Sequence, residues 1–285
     1  MNFAQAYLKG KIDRFEMMEL AQIISDLNSK GSHISSFEAV ELTTDGHFEV
    51  SKTIPVKKKD VFAYFSKMMS DVLVLTNKRL ASIFLNHYLA CQNKTEFYKY
   101  LPRSRRRAFI MACGGLSGSG KSRVAREMAP ELTYPLSAIV VRDDIVRKQL
   151  AGVNFDDTLS EDWYTPEKER LVYKEMRRQA KQAILAGYPV ILDALFYNPA
   201  ERKKAQDLAK RLNVSFEGFW MEAPLAMRSR RVQERLNNPS DIKKESDLIA
   251  QLSEDVGEVT WRYIYTSGTR EETLNKVRSF LKKYV

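Results

Sequence analysis

Gly115 and Gly120, with Lys121 and Ser122 directly behind, give the spacing G-x-x-x-x-G-K-S over residues 115–122, and Ser117, Gly118 and Ser119 fill the interval. Successive backbone N–H groups can converge on an anion in such a run, because glycine carries no Cβ to block the approach. An apolar run precedes it and a helical pattern follows, which is the strand-loop-helix context a phosphate-binding loop needs. A tight Gly/Ser turn meets the same four fixed positions by accident in roughly one chain per hundred of this length, before that context is required. Read as a phosphate loop, Gly115, Ser117, Gly118, Ser119, Gly120, Lys121 and Ser122 bind a nucleotide. Lys121 brings positive charge to its β and γ phosphates, Ser122 offers a hydroxyl to Mg2+, and the helix start turns its positive end to the anion.

Binding phosphate does not define a reaction, so the acids that follow the other apolar runs matter next. Ile139-Val140-Val141 ends in Arg142-Asp143-Asp144. A carboxylate at the C-terminal end of a parallel strand can accept a proton from a hydroxyl that attacks the γ-phosphate. Either Asp143 or Asp144 fits, and the other serves as a helix cap; Asp144 is the preferred base. Asp193, after Pro189-Val190-Ile191-Leu192, has the place of a carboxylate that orients Mg2+ or its waters. A later helical stretch carries Arg228, Arg230, Arg231 and Arg235, with Arg231 and Arg235 on one face. At least one arginine of this stretch is expected at the phosphates, as a lid that neutralises migrating charge and excludes water.

These residues need a scaffold, and from Ala108 onward the chain supplies one. Short apolar runs at Ala108–Cys113, Ser137–Val141, Pro189–Leu192, Ser215–Met221 and Tyr263–Thr266 alternate with charged amphipathic segments, the signature of a parallel sheet covered by helices. The expected fold is α/β, a P-loop NTPase three-layer arrangement with about five parallel strands. A helix is expected from Thr165 to Ala186, with Pro166 in its first turn and Gly187 at its end. Residues 1–104 read as a mainly helical, non-catalytic domain and residues 105–285 as the P-loop domain, the boundary falling in Leu101-Pro102-Arg103-Ser104-Arg105. Helical spacing is clearest from Phe15 to Leu27 and from Val61 to Leu89. The tract from Gly31 to Lys59 has no clear period and holds a turn signal at residues 44–46 and a basic run at Lys57, Lys58 and Lys59.

Whole-chain composition agrees with a folded enzyme. The 285 residues are 44% hydrophobic and 29% charged, which disfavours disordered, collagen-like and disulfide-scaffold classes. The net charge of +10 favours anionic ligands without choosing among nucleotides, nucleic acid and acidic membranes. With only Cys91 and Cys113, no secretory leader pattern and no apolar run long enough to span a bilayer, the chain reads as cytoplasmic.

Together the motifs resemble the zeta-toxin-like predicted kinases of the P-loop class, which often form the C-terminal half of fusions with an aminoglycoside phosphotransferase-like domain. The resemblance runs from about Phe109 to Leu281. It rests on residues 114–122, Arg142-Asp143-Asp144-Ile145-Val146-Arg147, Tyr164-Thr165-Pro166-Glu167, Val190-Ile191-Leu192-Asp193-Ala194, Glu222-Ala223-Pro224, Arg231 and Arg235, Pro239-Ser240-Asp241 and Thr266-Ser267-Gly268. It implies ATP-dependent phosphorylation of a hydroxyl on a small molecule or nucleotide sugar, with Asp144 as base, Arg147 near the acceptor and Arg231 and Arg235 on the lid. Relatives usually have Ser-Asp where this chain has Asp143-Asp144, which makes the acceptor side more acidic here, and often have Thr where it has Arg123. The front of the chain, chiefly Lys11 to Leu27, is similar to a shortened helical lobe of the phosphotransferase-like partner. None of His33, His47 and His87 is followed by the Asp that a working catalytic loop of that partner needs.

Two other functions use the same features. A nucleic-acid 5′-hydroxyl kinase would exploit the basic run Lys99, Arg103, Arg105, Arg106 and Arg107, but the sequence offers no persuasive set of aromatic residues interleaved with basic ones for base stacking, so nucleic acid is not favoured. A nucleotide-gated adaptor would bind a protein partner through the N-terminal helices without turnover. A small-molecule hydroxyl acceptor with Mg-ATP is the leading expectation.

Overall fold

The computed structural model describes residues 36–42, 48–55, 98, 104, 107–133, 137–153, 158–233 and 255–284. The expected N-terminal helices, the 44–46 turn, Lys57–Lys59, Arg103, Arg105, Arg106, Arg235 and Pro239-Ser240-Asp241 lie outside them. Within the front region two strands pair antiparallel, β1 (Ser36–Leu42) and β2 (Phe48–Pro55), in register from Ser36 opposite Pro55 to Leu42 opposite Phe48. The register shifts between Ala39 and Val40, where Ser51 has no counterpart. An extra residue of this kind interrupts a two-residue period, which is why the tract from Gly31 to Lys59 shows none.

From Phe109 the chain alternates strand and helix. In order these are β3 (Phe109–Gly114), α1 (Lys121–Met128), β4 (Ile139–Arg142), α2 (Asp143–Ala151), α3 (Pro166–Leu185), β5 (Val190–Asp193), α4 (Pro199–Arg211), β6 (Ser215–Glu222), α5 (Leu225–Gln233), β7 (Arg262–Tyr265) and α6 (Arg270–Leu281). The five later strands form one sheet in the order β4-β5-β3-β6-β7, every neighbouring pair parallel. All five expected apolar runs become strands, each end within about two residues of the expected one.

Alternation along β3 builds the three layers. Ile110 and Ala112 face a core made with Val172, Tyr173, Met176 and Ala180 of α3 and Ala205 and Leu208 of α4. Phe109, Met111 and Cys113 face the opposite core, with Val124 and Met128 of α1 and Leu274, Val277 and Leu281 of α6. A central strand covered on both sides must be apolar at every position, so β3 reads as an unbroken run. Helix α3 begins as expected: Thr165 accepts a hydrogen bond from the Lys168 amide at 3.4 Å, and Pro166 occupies the first turn. Among the described residues, no helix is long and apolar enough to cross a membrane.

One face of the sheet is closely covered at β6, where Trp261 lies across Gly218. A Cβ at Gly218 would sit 2.5 Å from Trp261 Cγ, and Trp261 is only 4% exposed. Gly218→Ala is therefore expected to cost about 1–3 kcal/mol through overpacking. Urea denaturation of the two proteins measures it, and equal midpoints would mean that the indole has room to shift.

Candidate functional site

The glycine run leaves the centre of the sheet at the C-terminal end of β3 and ends in the first turn of α1. At two of its glycines the path leaves no room for a Cβ. Gly115 has φ +129° and a Cβ there would stand 2.2 Å from the Met221 carbonyl oxygen; Gly118 has φ +81° and its Cβ would meet the Arg228 backbone at 2.7 Å. The loop is pinned from inside by the Gly115 amide, which donates to Leu195 O at 3.0 Å, and by the Ser119 amide, which donates to Leu116 O at 3.1 Å. Lys121 is buried, and its Nζ donates to Leu116 O at 3.2 Å.

From outside, three successive loop carbonyls are each held by a side chain. Arg228 Nε donates to Ser117 O at 2.7 Å, Arg231 Nη1 to Gly118 O at 3.2 Å, and Thr266 Oγ1 to Ser119 O at 2.7 Å. Arg231 also donates to Thr266 Oγ1 at 2.9 Å and to Thr266 O at 2.6 Å. Burial lowers both Arg228 and Arg231 from the usual guanidinium value.

The acids stand on the two strands beside the loop. Helix α2 starts at Asp143, so Asp143 and Asp144 both fall in its first turn, where the helix dipole favours negative charge. Their surroundings differ. Asp143 is mostly buried; its Oδ1 accepts from the Asp144 amide at 2.8 Å and its Oδ2 from the Leu195 amide at 3.2 Å. Asp144 keeps 31% of its side chain exposed and touches Arg142 Nη2 at 3.4 Å. The same arginine places its Nε 3.2 Å from Asp193 Oδ2. Asp193 is 2% exposed, and neither of its carboxylate oxygens accepts a hydrogen bond among the described residues.

The loop after β5 joins these parts. Leu195 takes the Gly115 amide on its carbonyl and gives its own amide to Asp143. Phe196 has φ +52°, an uncommon conformation for a residue with a side chain. It is held there by its amide donating to Tyr173 Oη at 2.8 Å and by Arg202 Nη1 donating to its carbonyl at 2.7 Å. Farther along α2, the buried Arg147 donates to Trp163 O at 2.6 Å and stacks 4.9 Å from the Tyr164 ring centre.

The structure thus gathers Gly115 through Ser122, Asp144, Asp193 and Arg231 at the C-terminal ends of β3, β4, β5 and β7. Arg147 lies one turn into α2, on the Trp163–Tyr164 turn, and Arg235 is outside the described residues. Sequence reasoning gave no role to Arg142, which bridges Asp144 and Asp193, to Leu195, or to Thr266. Arg142 had a visible signal as the strand-end residue before the two acids; Leu195 acts through its backbone and had none.

The family model described as AAA domain matches residues 110–253. Uncharacterized proteins Rv2004c and MT2060 of Mycobacterium tuberculosis and Mb2027c of Mycobacterium bovis are each 30% identical over 167 residues, covering 57% of this chain and 32% of theirs. The chain thus spans about a third of the length of the curated relatives it matches. Among solved structures, it is similar to a gluconokinase from Sinorhizobium meliloti, at 16% identity over 63% of this chain and 94% of that one, with a TM-score of 0.43. It is also similar to the Mycobacterium tuberculosis APS kinase CysC in complex with AMPPNP and APS, at 20% identity over 62% and 99%, TM-score 0.45. Kti12 of Chaetomium thermophilum in complex with ADP-AlF3 is 15% identical over 62% and 99%, TM-score 0.44.

Burial, then the Asp144 and Asp193 carboxylates, push Asp143 up from 3.8 to about 7 against the pull of Arg147 and Lys121. The folded chain therefore keeps a proton that the unfolded chain has already released. The stability this contributes is complete below the unfolded value and disappears as pH rises through the folded one. Without nucleotide or added metal, the stability of the native sequence relative to Asp143→Asn should fall between about pH 5 and pH 8. Urea titrations across that range test it; a difference that does not vary with pH would place the ionisation below the window.

Proposed function

Because this chain belongs to the AAA domain family, we propose that it is an ATP-dependent kinase that moves the γ-phosphoryl group to a hydroxyl of a small molecule, nucleotide sugars included. The observation that carries this reading is that the glycine loop, Asp144 and Asp193 follow the C-terminal ends of three adjacent strands, β3, β4 and β5. Open parallel sheets bind their ligands at that edge.

Lys121 exchanges its hold on Leu116 O for the β and γ phosphate oxygens, which lie at the positive end of α1. Asp144, the more open of the two acids, takes the proton of the acceptor hydroxyl. The oxygen of that hydroxyl then forms the bond to the γ-phosphorus as the bond to the bridging oxygen breaks, and ADP leaves. Arg142 keeps Asp144 and Asp193 at a set separation by touching both. Arg147 flanks the acceptor from the Trp163–Tyr164 turn. Arg231 stands at the loop, and Arg235 is assigned to the migrating charge.

The residues also fit Mg2+. Asp193 presents buried oxygens that accept no hydrogen bond among the described residues, and Ser122 sits in the first turn of α1. A single carboxylate and a hydroxyl suit a cation that takes its other ligands from phosphates and water, and among the described residues no larger cluster of His, Cys, Asp or Glu could hold a metal. When bound, Mg2+ neutralises phosphate charge. We place the domain boundary at residues 104 and 105 and give residues 1–104 a role in docking or in covering the acceptor.

Two experiments follow. Asp144→Asn should lower turnover at least about 1,000-fold, with Mg-ATP affinity within about threefold of the native chain, because only the proton acceptor is lost. A panel of hydroxyl metabolites, read by mass spectrometry for a gain of one phosphate, together with calorimetry, tests it. ATP bound with no transfer to any acceptor would favour a gated adaptor instead. A fragment of residues 105–285 should bind Mg-ATP like the whole chain; a soluble fragment that cannot would place part of the site in the front region.

A further inference from the structure

The outward-facing contacts of the glycine loop carry a consequence for binding that rests on the phosphate-loop reading above. In a trans peptide the C=O and the following N–H point in opposite directions. A donor that holds the carbonyl of Ser117 from one side therefore aims the Gly118 amide to the other, and a donor on the Ser119 carbonyl does the same for Gly120. Those donors are Arg228 Nε at 2.7 Å and Thr266 Oγ1 at 2.7 Å. Arg231 ties them together, reaching Gly118 O at 3.2 Å and both oxygens of Thr266.

Arg228 is held at a desolvation cost. It is 3% exposed, and its Nη2 has no hydrogen-bond partner among the described residues. A buried donor without a partner is unfavourable. The backbone of α5 is also pressed onto the loop at this point, since a Cβ at Gly118 would meet Arg228 O at 2.7 Å and Arg228 Cα at 2.8 Å.

We propose that Arg228, Arg231 and Thr266 are positioning residues for the polyphosphate tail of a nucleotide: they grip the loop carbonyls from behind α1 and so preset the amides that receive the phosphates. None of the three needs to touch the nucleotide. Their removal should weaken ligands in proportion to the phosphates they present, whatever base is attached, because the amides would then have to be ordered at the moment of binding.

Calorimetric titrations of the full chain with Mg-ATP and with inorganic tripolyphosphate, which has no base or sugar, test this. Thr266→Val keeps the shape and removes the hydroxyl; it should weaken both ligands by the same factor, about 5- to 10-fold for loss of the grip on Ser119 O. Thr266→Ser, which restores the hydroxyl without the methyl, should recover most of that loss. Arg228→Gln should weaken both by about 10- to 30-fold, as a charged donor is worth more; if it does not fold, the Thr266 pair decides. Unchanged affinity in Thr266→Val, or a Thr266→Ser protein as weak as Thr266→Val, would overturn the inference. Failure of the native chain to bind either ligand would instead overturn the phosphate-loop reading itself.

Discussion

The backbone of Leu195 sets the spacing between the glycine loop and the acidic start of α2. It accepts the Gly115 amide on one side and donates to Asp143 on the other, so the two elements cannot drift apart without breaking a bond to the same residue. Leu195 is itself fixed, because Phe196 next to it is locked at positive φ between Tyr173 on α3 and Arg202 on α4. Strain of this kind persists only where its surroundings overdetermine it. Arg202 extends the frame by holding the carbonyls of Val256 and Glu258, which lead into β7, the strand whose end carries Thr266. Together these bonds form one chain of backbone contacts rooted in two helices.

Charge at the site is arranged around that frame. Lys121, Arg142 and Arg147 stand near Asp143, Asp144 and Asp193, so neither sign stands alone in a region of low dielectric. The two acids at the start of α2 differ in their surroundings. Asp143 gives both oxygens to backbone amides, while Asp144 keeps 31% of its side chain exposed beside Arg142. The Asp143 side chain reaches farther than a serine hydroxyl would and accepts from the amide across the sheet at Leu195. The acidity that its presence would add is reduced by the rise in its proton affinity.

The chain alone determined a good deal. The glycine run, the acids after two apolar runs and the alternation of strand and helix from Ala108 were legible because each follows from local rules: close approach needs glycine, two-sided burial needs continuous apolar residues, and an amphipathic helix repeats every 3.6. Thr165, Pro166 and Gly187 announced α3 for the same reason. The strands at Ser36–Leu42 and Phe48–Pro55 were illegible, since a register shift breaks the period that marks a strand.

Other features were decided only by the tertiary structure. Whether Asp143 or Asp144 stays open depends on the Leu195 amide 52 residues later, and whether an arginine of α5 faces phosphate or loop depends on carbonyls 111 and 113 residues earlier. Sequence spacing sees neighbours one helical turn or one strand pair away. Contacts made by backbone atoms, which every residue type carries alike, leave no mark in the order of side chains until the fold brings them together.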